Sequence, residues 1–203
     1  MNRHPDTSLA ILAGGRGRRL GGVSKGLLEY EGRTLVARLL DLADRFTGAL
    51  LVADDPTPWT PFGVPVVADV VKDRGVPGGL HAALVQSGTP WVVLVACDMP
   101  FIRVEVLEHL LRGREDDLGW VCVERGQYLE PMPGVYSVRL APAIAAALPS
   151  NPSMQSLLRA TSGRALPIAE ISGLDPDLKS WVSVNTPEDA ERFGVSLARG
   201  GTR

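Results

Sequence analysis

The chain has 203 residues, of which 45% are hydrophobic and 22% are charged, and its 21 Lys and Arg residues against 23 Asp and Glu residues give a formal net charge of −2. This length and composition predict a globular protein with a single domain over residues 1–203. The balanced charge disfavours a protein whose main task is to bind nucleic acid. No apolar stretch approaches the roughly 20 residues of a membrane span, so we expect a cytoplasmic protein without a membrane partner.

Short β-rich runs alternate with longer amphipathic segments along the chain, which predicts a mostly parallel sheet with helices on both faces. The run Trp91 to Cys97 has no polar face and is interpreted as a central strand. The predicted strands are 9–12, 49–52, 65–68, 91–97, 120–124, 134–137 and 180–184. The predicted helices are 34–46, 79–86, 105–111, 141–148, 153–160 and one that begins at Asn185.

Two other features are interpreted structurally. The two cysteines, Cys97 and Cys122, both lie in apolar stretches, which favours buried thiols over a disulfide. The proline-rich stretch 56–65 predicts an irregular surface loop.

The stretch 12–26 directly follows the first predicted strand and combines glycines with cations. Five glycines fall within 14–22, and the stretch has no acidic residue. Because glycines let backbone N–H groups approach an anion and cations neutralise it, this loop favours phosphate binding over a solvated basic turn. Neither the Walker A spacing nor the dinucleotide spacing G-x-G-x-x-G is present, which disfavours a nicotinamide enzyme. The cations of the loop are Arg16, Arg18, Arg19 and Lys25.

Two carboxylates follow predicted strands, where ligands of open α/β sheets bind. Asp98 comes directly after the most apolar strand, and it could hold a Mg²⁺ ion that bridges nucleotide phosphates or could cap the following turn. Asp69 is followed by the glycine-rich segment 75–79, which could face a base or ribose or could form a tight turn into a helix. Together with the cationic loop, these features favour a nucleoside triphosphate with Mg²⁺ as the ligand.

The string LAGGRGRRLGGVSKGLL resembles the signature L-A-G-G-x-x-x-R-M-G-G-x-D-K of the molybdenum cofactor guanylyltransferases. The resemblance continues through GVPGGLHAAL, ACDMPF, EPMPGVY and VNTPED, and so covers nearly the whole chain. It implies a single-domain, three-layer α/β/α Rossmann-like nucleotidyltransferase fold. The chain departs from the family pattern at Leu20, at Ser24 and at Ala53, where some members have a nucleotide-contacting Asn. Asp54 or Asp55 could replace that contact.

The resemblance also implies roles for particular residues. Arg19 and Lys25 would hold phosphates, Asp69 would contact the nucleoside, and Asp98 would bind Mg²⁺, so that Lys25, Arg19 and Asp98 form the catalytic set. The full nucleotide-binding set is Leu12, Ala13, Gly14, Gly15, Lys25, Asp69, Gly78 and Asp98. An acceptor site is expected in the C-terminal half, within 127–133 and 155–159.

The implied reaction is the transfer of GMP from GTP to the terminal phosphate of molybdenum-bound molybdopterin, with release of pyrophosphate and Mg²⁺ as cofactor. The nucleophile is already an anion, so no general base is required. Transient contact with cofactor-delivery proteins or apoenzymes is also expected. Two alternatives remain: cytidylyl transfer from CTP to the same acceptor, and a non-catalytic accessory protein, against which the presence of both Lys25 and Asp98 argues.

Overall fold

The computed structural model of the protein describes residues 4–14 and 24–196. The strands in this part of the chain are β1 (Thr7–Leu12), β2 (Glu29–Tyr30), β3 (Arg33–Thr34), β4 (Ala49–Val52), β5 (Val66–Val67), β6 (Trp91–Ala96), β7 (Trp120–Arg125), β8 (Tyr128–Ser137), β9 (Gly163–Pro167) and β10 (Val195–Ser196). The α-helices are α1 (Leu35–Leu40), α2 (Gly75–Gln86), α3 (Val104–Arg112), α4 (Ala141–Ala147), α5 (Met154–Arg159), α6 (Ile168–Ile171) and α7 (Pro187–Phe193). None of these helices has both the length and the apolar character that crossing a membrane requires.

A seven-stranded sheet in the order β5-β4-β1-β6-β8-β7-β9 forms the centre of the fold. β1 pairs in parallel with β4 and β6, and β4–β5 and β7–β9 are parallel as well. Only β8 runs antiparallel, against both β6 and β7. The prediction of a mostly parallel sheet is therefore confirmed. The short strands β10, β2 and β3 form a separate antiparallel sheet.

Helices cover both faces of the large sheet, because alternate residues of its strands point to opposite sides. On β1, Leu9 and Ile11 join a buried cluster with α1 and α3, whereas Ala10 joins a second cluster with α2, α4 and α5. All three side chains are fully buried. This confirms the three-layer α/β/α arrangement.

Several predicted boundaries are wrong, each for a local reason. The helix expected over 34–46 is α-helical only to Leu40 and continues as a 3₁₀ helix over Asp41–Arg45. The glycine-rich segment 75–79 is not a turn before a helix: it is the first part of α2, which begins at Gly75 rather than Gly79. The stretch 56–65 is not an irregular surface loop throughout: it contains a 3₁₀ helix, Thr57–Phe62, and the side chain of Trp59 within it is buried in the core.

The strand expected over 180–184 is also wrong. The segment begins with a 3₁₀ helix, Lys179–Trp181, and then runs outside the sheet. Its backbone is held elsewhere, since the N–H of Val184 donates to the carbonyl of Asp98 at 2.9 Å. The unpredicted strand β9 instead closes the edge of the sheet beside β7.

Both cysteines are buried and unpaired, which confirms the prediction made from their apolar surroundings. Burial raises the pKa of the Cys97 thiol and of the Cys122 thiol to about 12 in each case. Cys97 lies directly before Asp98, but a thiol that stays protonated at neutral pH is a poor nucleophile and metal ligand.

Replacing Gly163 with alanine is expected to destabilise the fold. Gly163 lies opposite Trp120 in the β7–β9 register, and an added Cβ would overlap the Trp120 indole, which is itself buried. We expect Gly163→Ala to lower the free energy of unfolding by about 3 kcal/mol, the upper part of the usual range for overpacking. Urea unfolding followed by circular dichroism measures this change. Gly173→Ala is the matched control, because no atom lies within 4 Å of its added Cβ; equal unfolding midpoints for the two variants would contradict the expectation.

Candidate active site

A cavity of about 790 Å³ lies at the carboxyl ends of β1, β4 and β6. Parallel strands place ligand sites at this edge, and the volume is within the range of roughly 300–1,000 Å³ typical of small-molecule sites. Backbone hydrogen bonds continue the register beyond the strands: Ala13 N–H donates to the carbonyl of Val52, and Cys97 N–H donates to the carbonyl of Leu12, both at 2.9 Å. The residues that follow these strands are therefore held side by side around the cavity.

Lys25, Asp98 and Asn185 contact one another on the wall of this cavity. The Nζ of Lys25 donates to Oδ2 of Asp98 at 2.9 Å and to Oδ1 of Asn185 at 2.5 Å. The side chain of Asp98 is only 13% exposed and that of Lys25 is 29% exposed, so solvent screens their charges less than at an open surface. A partly buried ammonium group beside a carboxylate suits the binding of a phosphate together with a cation.

Three different parts of the fold position these side chains. Lys25 begins a 3₁₀ helix, Lys25–Leu27, and the next residue packs so closely that a Cβ on Gly26 would lie 2.6 Å from Cγ2 of Val36. Asp98 follows β6. Asn185 precedes α7, and its N–H donates to Oδ2 of Asp189 at 2.9 Å, in the same group of contacts that caps the helix.

Sequence reasoning assigned Asn185 only to a helix start and missed its contact with Lys25. The available signal was the Asn of the string VNTPED, since Asn, Thr and Asp before a helix commonly serve as caps. In the structure Thr186 is the cap, which leaves the Asn185 side chain free to face the cavity.

The donor set at Asp98 fits a Mg²⁺ ion. Among residues 4–14 and 24–196, no group donates a hydrogen bond to Oδ1 of Asp98, which is therefore available as a ligand on the cavity wall. The described residues contain no cluster of three or more His, Cys, Asp or Glu side chains that could hold a metal ion alone. Mg²⁺ usually takes one or two carboxylates and completes its shell with phosphate oxygens and water, so a single carboxylate beside a phosphate site is sufficient.

Asp69 lies on the wall of the cavity beyond β5 and beside α2. Burial raises the pKa of its carboxyl above the usual range, and the nearby Asp54 carboxylate raises it further. A Cβ on Gly78 would lie 3.3 Å from Oδ2 of Asp69, so the glycine leaves room for this carboxylate. Gly78 itself does not line the cavity, whereas its neighbours Gly75, Val76 and Gly79 do.

The other sequence-predicted residues divide into three groups. Leu12, Ala13 and Gly14 line the cavity. Gly15 and Arg19 lie outside the described residues. Of the two candidates for the contact missing at Ala53, Asp54 lines the cavity, whereas Asp55 accepts a hydrogen bond from Thr57 N–H at 2.9 Å in its own loop.

The wall on the side of the C-terminal half is formed by Glu130, Pro131 and Met132 of β8, with Trp181 and Ser183 beside them. This agrees in part with the expected acceptor region 127–133. Gln155 and Arg159, from the other expected region, do not line the cavity. They hold β8 in place: Gln155 Nε2 donates to the carbonyl of Leu129 and Arg159 donates to the carbonyl of Gln127, each at 2.5 Å.

Replacing Asp69 with asparagine is expected to stabilise the fold and weaken nucleotide binding. A carboxyl whose pKa is raised by folding destabilises the folded state when it is charged. This destabilisation is present at pH 7 and disappears as the pH falls below about 4, the pKa of the carboxyl in the unfolded chain. Thermal unfolding should show a higher Tm for Asp69→Asn at pH 7 and a shrinking difference towards acid pH. Nucleotide affinity should fall about tenfold, since a hydrogen bond to a charged group contributes roughly 1.5–3 kcal/mol. Asp55→Asn, which changes a carboxylate off the cavity, should show neither effect.

Comparisons with known proteins show which proteins the chain resembles. Residues 9–165 match the model of the MobA-like NTP transferase domain. The molybdenum cofactor guanylyltransferase of Desulfosudis oleivorans is 29% identical over 192 residues, which cover 94% of this chain and 95% of that protein. A probable molybdenum cofactor guanylyltransferase of Methanosarcina acetivorans is 30% identical over an alignment of 203 residues, which covers 93% of this chain and 90% of that protein. The crystal structure of molybdopterin-guanine dinucleotide biosynthesis protein A from Archaeoglobus fulgidus superposes with a TM-score of 0.79 at 28% identity. The superposition covers 92% of this chain and 96% of that chain.

Proposed function

Because the chain belongs to the MobA-like NTP transferase family and is a nucleotidyltransferase, we propose that it transfers GMP from GTP to the terminal phosphate of molybdenum-bound molybdopterin and releases pyrophosphate. The observation that carries this proposal is the cluster of Lys25, Asp98 and Asn185, whose side chains contact one another in the lining of one cavity. One wall carries the residues expected to bind the nucleotide, and the other is free for an acceptor. The phosphates of both substrates would meet at the cluster.

The nucleotide would occupy the wall formed after β1, β4 and β5. Backbone groups of Leu12, Ala13 and Gly14 would face the nucleotide, and Asp69 would accept hydrogen bonds from the nucleoside. Guanine presents a ring N–H and an amino group on one edge, which suits an acceptor-only carboxylate. The Asp54 carboxylate lies close enough to Asp69 to affect its pKa and could serve the same nucleoside.

The phosphates would lie at Lys25. When a phosphate enters, the Lys25 ammonium can exchange its contact with Asp98 for one with phosphate oxygens, while Asn185 keeps the Nζ in position. Asp98 would then be free to hold a Mg²⁺ ion, which supplies neutralisation of the charge on the phosphate oxygens. Arg19, outside the described residues, is expected to contact the same phosphates.

An oxygen of the acceptor phosphate forms a bond to the α-phosphorus of GTP, and the bond from that phosphorus to the β-phosphate oxygen breaks. The electron pair of the broken bond leaves with pyrophosphate. The attacking oxygen is already anionic, so the residues of this chain need only align the two phosphates and stabilise their charge. Positioning and electrostatic stabilisation carry most of the catalysis in phosphoryl transfer generally.

The nucleotide preference is tested by pyrophosphate release from the purified chain with Mg²⁺ and molybdenum-loaded molybdopterin, with GTP and CTP compared at equal concentration. We expect turnover with GTP alone. Turnover with CTP would instead support a cytidylyltransferase. Absence of turnover with both nucleotides, together with retained GTP binding, would contradict the proposal and favour the accessory protein. Delivery of the product to a partner protein, and a cytoplasmic location, stay predictions.

A further inference from the structure

We propose that Glu130 and Trp181 form the subsite for the pterin ring of the acceptor, in which the carboxylate accepts hydrogen bonds from the 2-amino group and the neighbouring ring N–H while the indole stacks on the ring. This inference rests on the proposed function, because it takes molybdopterin as the acceptor. It assigns the recognition of the ring to two side chains on the wall opposite the nucleotide.

The segment 181–185 connects this wall to the centre of the site. Its alternate residues Trp181, Ser183 and Asn185 line the cavity, whereas Val184 between them is buried. The segment is fixed near both ends: Val184 N–H donates to the carbonyl of Asp98 at 2.9 Å, and Ser180 N–H donates to Oδ2 of Asp175 at 2.7 Å. Four residue steps span at most about 13 Å, which limits the distance between a ring beside Trp181 and a phosphate near Asn185.

The carboxylate of Glu130 is an acceptor without a donor. Its side chain is 28% exposed, and Oε1 lies 3.4 Å from Nε of Arg125, an ion pair without a hydrogen bond. Among the residues that the structure describes, no group donates a hydrogen bond to the side chain of Glu130, although this residue lies on the cavity wall. The carboxylate oxygens accept only, so a ligand in the cavity that offers N–H groups can bind to this side chain.

Trp181 provides an aromatic surface on the same wall. It packs on the core cluster beneath the cavity, and its 3₁₀ helix contacts β8, the strand that carries Glu130. The indole Nε1 is buried and has no partner among the described residues. An indole that is held in place by packing can stack on a flat heterocycle with little loss of side-chain freedom.

The chemistry of a pterin matches these two groups. The pyrimidine part of the ring carries a 2-amino group and an adjacent ring N–H, two parallel donors that one carboxylate can accept together. The remainder of the ring is a flat π-system suited to stacking. Asp54, Asp69 and Asp73 line the cavity on the side of β4, β5 and α2, and Asp98 lies beside Lys25. Glu130 is the carboxylate that β8 contributes on the opposite wall.

The test is a calorimetric titration of the full chain, with Mg²⁺, using two probes. One is 6-hydroxymethylpterin phosphate, and the other is its analogue with oxygen in place of the 2-amino group. We expect the unsubstituted protein to prefer the amino probe by about tenfold or more, since a hydrogen bond to a charged group is involved. Glu130→Gln should abolish this preference. Trp181→Leu should lower the affinity for both probes by about tenfold, as the loss of a stacked aromatic side chain does. Trp181→Phe should lower these affinities less.

Two controls separate binding from folding. Glu124→Gln changes an exposed carboxylate on β7, opposite Leu129 of β8 and off the cavity, and should keep the preference. Trp91→Phe changes a tryptophan at the start of β6, the end of the strand away from the cavity, and should leave the affinities for both probes unchanged. GTP affinity should be unaffected in all of these variants. A preference retained in Glu130→Gln, in a protein that still turns over molybdopterin, would overturn this inference alone. Failure of the unsubstituted protein to bind the amino probe, together with no turnover of molybdopterin, would overturn the proposed acceptor as well.

Discussion

Replacing Asp98 with alanine is expected to lower kcat for nucleotidyl transfer by about a thousandfold, because metal-based charge stabilisation contributes several kcal/mol and each 1.4 kcal/mol is a factor of ten. The carboxylate is the candidate metal ligand nearest to the phosphate site, and its Oδ1 accepts no hydrogen bond from the described residues. The substitution also removes the carboxylate that accepts a hydrogen bond from Lys25. Steady-state pyrophosphate release at saturating GTP and acceptor measures the effect.

The fold should survive this change. The side chain of Asp98 reaches the cavity, and its backbone carbonyl, which accepts from Val184, is unaltered by the substitution. Asp55→Ala is the matched control, since Asp55 lies beyond β4, another strand of the same sheet, but does not line the cavity. The Asp98→Ala variant should also lose the dependence of GTP affinity on Mg²⁺ concentration. An Asp98→Ala enzyme that retains a tenth or more of its kcat would contradict the assigned role.

Replacing Lys25 with alanine is expected to lower kcat by about a hundredfold to a thousandfold, the usual effect of removing one electrostatic group that stabilises a transition state. The ammonium is held at 2.5 Å from Asn185 Oδ1, in position to contact transferring phosphate oxygens. The same variant should raise the KM for GTP, because Lys25 would bind the phosphates before the reaction as well. Lys25→Arg should recover part of the activity, since it keeps the charge but not the compact shape of the ammonium.

Lys179→Ala serves as the control for this variant. Lys179 is 58% exposed, pairs with Asp177 and does not line the cavity. Lys179→Ala should keep both kcat and the KM for GTP within twofold of the values for the unsubstituted enzyme. If Lys25→Ala changed the KM for GTP but left kcat intact, Lys25 would be a ground-state binding residue without a catalytic role.

The sequence predicts the centre of this molecule well. The apolar runs that became β1, β4 and β6 have clear boundaries, because strands buried on both faces need continuous apolar residues. Since ligands bind at the carboxyl ends of such strands, position made the residues after β1 and β6 candidates for the site, and the family resemblance supplied their individual roles. The placement of Ala13 and Asp98 on the cavity wall agrees with this reasoning.

Contacts between distant parts of the chain could not be predicted in the same way. Asn185 is 160 residues from Lys25, and the string VNTPED indicates only a helix start. The segment 180–184 has the alternation of a strand, but its N–H groups find partners outside the sheet, which a local pattern does not reveal. The start of α2 was missed because glycines normally disfavour a helix, whereas here they provide space for Asp69 and Leu12.

We expect GTP to donate its α-phosphorus to an acceptor phosphate in the cavity around Lys25 and Asp98. The most direct test uses GTP labelled with ³²P either in the α-phosphate or in the γ-phosphate, with molybdenum-loaded molybdopterin and Mg²⁺, and follows the label by chromatography. The α-label should appear in the molybdopterin product and the γ-label in pyrophosphate. Appearance of the γ-label on the acceptor would instead show phosphoryl transfer, and release of the α-label as free GMP would show hydrolysis; either result would contradict the account.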